Sequence, residues 1–93
     1  MYLIVEVVFY SNKRKSLPLS GYRPDAVFNG KDYWGITFKE LVIDDFDVPT
    51  VASIKFTFQD SHYDEITTGQ KFKIMEGQNQ VGNGMIVSIE NEV

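Results

Sequence analysis

A lone histidine, His62, stands beside Ser61 and two residues before Asp64 in QDSHYDEITTG, and three aspartates, Asp44, Asp45 and Asp47, crowd a second stretch. Serine, histidine and aspartate make a proton relay only when the fold aligns them, and near neighbours on one polar loop do not supply that alignment. No catalytic residue is expected there, and His62 reads as a surface histidine. The aspartates lack the regular acidic spacing, central glycine and terminal glutamate of a calcium loop, so they read as a solvated acidic loop and no metal site is expected. Gly30-Lys31 lies outside any GxxxxGK[ST] pattern, and Val87 stands where GxGxxG would place its last glycine after Gly82 and Gly84. No nucleotide and no cofactor is expected. The chain has no cysteine, hence no thiolate chemistry and no disulfide, which suits a reducing, cytoplasmic setting.

Charge narrows the partners. A formal net charge of −4 repels phosphate backbones, so RNA contact is disfavoured except at one local basic cluster, Lys13, Arg14 and Lys15. The simpler reading of that cluster is a solvated turn. Aromatic residues make up 14% of the chain, enough for a stacking surface if they were exposed. Phe56, Phe58 and Phe72 fall on alternating strands and are expected in the core, while Tyr22, Tyr33 and Trp34 are the candidates for exposure.

The elements that must position these residues are strands. Tyr2 to Tyr10, YLIVEVVFY, is rich in β-branched and aromatic residues. It is broken by Glu6, lacks the flanks of a signal peptide and is too short for a membrane-spanning helix, so no membrane association is expected. Asn29-Gly30 predicts a type I′ hairpin turn. In VASIKFTFQD, Ala52, Ile54, Phe56 and Phe58 alternate with polar residues, which predicts a strand with one face in a core. QKFKIMEG alternates likewise, and VGNGMIVSIE supplies a last apolar strand whose glycines mark a bulge or a close backbone approach. No segment sustains a helical period. One domain over residues 1–93, with about six strands and 43% hydrophobic residues to fill a core, predicts a small closed antiparallel barrel, because closure removes exposed edges.

RKSLPLSGYRPDAVF followed by GQKFKIMEGQNQVGNGMIVSIE resembles the C-terminal β-barrel domain of elongation factor Tu. Gly21, Tyr22, Arg23 and Pro24 match the first motif of that family. Gly69, Phe72, Ile74, Glu76, Gly77, Val81, Gly82, Gly84 and Ile86 match the second, G-x-x-F-x-I-x-E-G-x-x-x-V-G-x-G-x-V, conservatively at Ile86. Arg14 falls where the family has an arginine, Asp32 and Gly35 fit its turn region, and its P-G-D turn corresponds to Pro49-Thr50-Val51. The resemblance implies an all-β, six-stranded antiparallel closed barrel with Greek-key-like connections, linked to translation. It also implies that residues like Arg14, Glu76 and Gly77 lie in a tRNA-contacting region. The GTPase domain and second barrel of the factor have no counterpart here, Asp25 stands where the family has glutamine, and EGQNQ replaces EGGRT with the loss of a basic residue. The expected function is therefore a non-enzymatic binding module with a protein partner, and the alternative is weak tRNA or RNA binding. The candidate binding residues are Arg14, Lys15, Tyr22, Arg23, Glu76 and Gly77.

Overall fold

Alternation of apolar and polar residues is expressed in the computed structural model, which describes residues 1–92, as six strands. They are β1 (Tyr2–Phe9), β2 (Asp25–Val27), β3 (Trp34–Glu40), β4 (Thr50–Phe56), β5 (Lys71–Glu76) and β6 (Asn79–Glu90). A 3-10 helix, Asp60–Glu65, lies between β4 and β5. The strands close into a barrel in the order β1-β4-β3-β2-β5-β6, and every neighbouring pair is antiparallel. Because β2, β3 and β4 form a meander and β1 lies beside β4, the barrel contains a Greek key. Among the described residues no helix is long and apolar enough to cross a membrane.

Strand β1 organises the core. Leu3, Val5, Val7 and Phe9 are fully buried, and they meet Ile36, Phe38, Ile54, Ile74 and Ile86 from the other strands. Each such side chain contributes about 1.5–3 kcal/mol by leaving water. Among the described residues no polar or charged residue is buried. The two ends are closed differently. At the Met1 end, Tyr63 of the 3-10 helix is buried, and its hydroxyl accepts from Phe56 N–H at 3.2 Å and donates to the Met1 carbonyl at 2.9 Å. At the Phe9 end, Tyr22 stacks on Phe38 with ring centroids 5.7 Å apart and meets the Phe9 ring at 5.9 Å.

Besides one irregularity at Lys39 of β3, β6 supplies curvature. Its pairing shifts register against β1 between Ile4 and Val5, and against β5 between Ile74 and Met75, so Val87 and Val81 are the extra residues of two bulges. The glycines between them meet the expectation from the sequence. A Cβ on Gly82 would lie 2.3 Å from the Val8 carbonyl oxygen, and one on Gly84 would lie 2.3 Å from Cζ of Phe72. Backbone and ring occupy the space that side chains would need.

Three sequence expectations are corrected. Asn29-Gly30 does not form a type I′ turn, because only Gly30 has a positive φ, of 80°. Instead the Asn29 side-chain oxygen accepts from the N–H groups of Lys31 and Asp32, at 3.0 and 2.9 Å, and the β2–β3 hairpin closes through a longer loop. Phe58 is 80% exposed rather than in the core, because β4 ends at Phe56 and the alternation outlives the strand. Thr50 and Val51 lie in β4, so the turn assigned to Pro49-Thr50-Val51 is made upstream, at Asp47, whose φ is 63°.

Adding a methyl group at Gly84 should lower stability by about 1–3 kcal/mol through overpacking, and Phe72→Leu in the Gly84→Ala background should restore part of it. Gly82→Ala should be worse than Gly84→Ala, since the Val8 carbonyl cannot rotate aside as a ring can. Urea denaturation midpoints of the variants would check this order.

Candidate functional site

The segment Ser20 to Pro24 is the upstream continuation of β2. Gly21 N–H donates to the Phe38 carbonyl at 2.7 Å, Phe38 N–H to that of Tyr22 at 2.9 Å, and Ile36 N–H to that of Pro24 at 3.0 Å. Gly21 turns the chain into this ladder with a φ of 91°, a value that L side chains rarely adopt. From there the faces alternate. Tyr22 turns toward the Phe9 and Phe38 rings, Arg23 is exposed, and Pro24 is buried.

Tyr22, Arg14 and Glu76 meet at this end of the barrel. Arg14 Nε lies 2.8 Å from Glu76 Oε2, its Nη1 donates to the Ser16 carbonyl at 2.6 Å, and its guanidinium carbon sits 4.9 Å from the centroid of the Tyr22 ring. The Tyr22 hydroxyl donates to the same Glu76 oxygen at 2.5 Å. Burial first, and then the bond to Glu76, pushes the Tyr22 phenol well above its ordinary value. Gly77, with a φ of 61°, takes the first central position of the two-residue β5–β6 turn, which fixes Glu76 opposite Asn79. Asn79 in turn donates to the Lys13 carbonyl at 3.3 Å. The basic turn and the β5–β6 turn are therefore one unit.

An acidic loop lies against that unit. Ser11 N–H donates to Asp47 Oδ1 at 3.2 Å, and Asp47 N–H donates to the Phe9 carbonyl at 2.7 Å. Phe46 shares a surface groove with Lys13, Arg14 and Lys15. The segment carrying Asp44, Asp45 and Asp47 is thus folded onto the basic turn, and Arg14 already has a carboxylate partner. Both arrangements reduce the attraction this turn exerts on a phosphate.

Of the residues marked by the sequence, Arg14, Tyr22, Glu76 and Gly77 are brought together. Lys15 and Arg23 are exposed and form no ion pair among the described residues. Trp34 is half-buried rather than exposed, and His62 stacks on it with centroids 3.8 Å apart and planes 8° apart. His62 is thus not the open surface histidine expected, since its side chain is only 15% exposed. The sequence also gives no sign that Leu19, Val42 and Val51 are 75%, 80% and 64% exposed. Period-two patterning marks which residues can face a core, and says nothing about apolar residues left outside it.

Tyr22 carries a pH signature. Its raised folded value means that the folded chain keeps this proton after the unfolded chain, with an ordinary phenol near about 10, has lost it. The stabilisation is complete below about pH 10 and declines as pH rises beyond it. Tyr22→Phe should flatten the fall in unfolding free energy above about pH 10, and Tyr63, which burial also raises, should leave a residual slope. Urea titrations on both sides of that pH measure it. Compared with known proteins, the chain matches no family model and no curated sequence.

Proposed function

We propose that the barrel is a non-enzymatic protein-binding module of cytoplasmic, translation-linked type, similar in design to the last barrel of elongation factor Tu. The observation that carries this reading is an apolar outer face. Val42 and Val51, 80% and 64% exposed, line one groove with Ile4 and Ala52. Exposed apolar side chains scattered singly are ordinary, but a group gathered at one groove marks an interaction surface. Glu40 at the groove rim gives the face a polar border.

The partner that fits the resemblance is a protein surface of the kind the factor's last domain would otherwise cover. RNA is the weaker candidate, because Arg14 is held by Glu76 and the chain carries a net charge of −4.

Calorimetric titration of the barrel into elongation factor Tu lacking its last domain is expected to give saturable binding. The double variant Val42→Asp, Val51→Asp should bind at least about tenfold more weakly, since each charge would have to be desolvated in the interface. Absence of heat with the unaltered barrel would refute this partner. Mixed with tRNA, the barrel should give no gel shift at micromolar concentration even at low salt. A shift that falls steeply with salt and is lost in Arg14→Ala would move the function to RNA.

A further inference from the structure

At the other end of β4 lies a second surface. A cavity of about 360 Å³ opens between the β2–β3 loop and the 3-10 helix. Tyr33, Trp34 and Gly35 line one side, Phe58 and His62 the other, and Asp32 stands in its wall. We infer that this cavity is a binding site for the guanidinium group of an arginine side chain presented by a peptide or protein.

The walls are aromatic and partly open. Phe58 is 80% exposed and Tyr33 is 49% exposed, on the same cavity, which is an unusual disposition for large apolar rings. Phe58 is laid down by Gly35: a Cβ there would stand 3.0 Å from Cε2 of the ring, so the missing side chain lets one edge of Phe58 rest on β3 while the rest of the ring remains open. Trp34 is held by His62 stacked on it at 3.8 Å, with the Phe28 ring at 5.6 Å and Phe56 edge-on at 5.8 Å. The slot is preorganised rather than collapsed.

The charge is one-sided. Asp32 is the one acidic residue of the lining, and its Oδ2 is pinned by the Asn29 side-chain amide at 2.9 Å. The helix DSHYDE, which carries His62, adds Asp60, Asp64 and Glu65, and the nearby cation Lys55 is paired with Glu92. Lys31, the neighbouring cation, is exposed and does not line the cavity. Negative ring faces beside a fixed carboxylate attract a cation, and the aromatic walls favour a flat, weakly hydrated one that stacks while donating to the carboxylate edge. An ammonium group is more strongly hydrated and lacks the planar face. The site lies away from the Val42 and Val51 groove, near the opposite end of β4, and stands independently of the partner proposed for that face.

Trp34 is the single tryptophan, so its indole N–H resonance reports on this slot alone. The full chain would be titrated with the capped peptide Gly-Arg-Gly and with the same peptide carrying citrulline, the uncharged isostere of arginine. Saturable movement of the indole signal in the millimolar range is expected with arginine, at least about tenfold weaker with citrulline, and lost in Phe58→Ala and in Asp32→Asn. Phe58 is exposed, so its removal leaves the fold intact for the comparison. No movement with the arginine peptide, equal movement with citrulline, or unchanged binding in both variants would overturn the assignment.

Discussion

The close approach of Phe72 to Gly84 is what the rest of the barrel depends on. Where β6 crosses from β5 to β1, the ring occupies the volume that a side chain would fill, and the Val8 carbonyl presses as closely on Gly82. The bulges at Val81 and Val87 bend the strand around this contact, and the bend lets β6 pair with β5 and β1 together. With both its neighbours in place, β1 buries four inward residues completely. Closure also removes the unpaired edges on which a strand could be added. Any partner must therefore be recognised by side chains on the outer face or at the barrel ends, which is where the exposed apolar and aromatic residues lie.

The two ends of the barrel solve the same problem with different chemistry. At the Phe9 end the lid is polar, with Arg14, Glu76 and Tyr22 bonding above Phe9 and Phe38. At the Met1 end it is largely aromatic, with Tyr63 buried and His62 stacked on Trp34. The polar lid consumes its charges internally, since one carboxylate oxygen serves both the guanidinium and the phenol. The aromatic lid leaves Asp32 at its margin with Oδ2 engaged by Asn29. An end that satisfies itself stabilises the fold, whereas an end with unspent valence remains open to a ligand.

Much of the architecture was legible because strand periodicity and glycine placement are local signals. Ala52, Ile54 and Phe56 alternate as a half-buried strand must, and Gly82 and Gly84 announce the close approaches in β6. The signal failed where a strand stops without a change of pattern, at Phe58, and where a side chain replaced backbone geometry, at Asn29. The contact of Arg14 with Glu76 was accessible only through resemblance, because the residues are 62 positions apart. The contact that holds the acidic loop against the basic turn was hidden for the same reason, with 36 positions between Ser11 and its acceptor Asp47. Neither pairing leaves a trace in composition or spacing.

One feature of the ladder bears on how such a barrel can be carried. Tyr2 pairs directly with Glu90 across β1 and β6, and Glu92 reaches Lys39 and Lys55 on the adjoining strands. The polypeptide therefore enters and leaves the barrel at neighbouring points on one rim. A unit with that property can be spliced into a surface loop of a larger protein, or placed in tandem with another domain, without stretching either backbone. It is a geometry suited to shuffling between different molecular contexts.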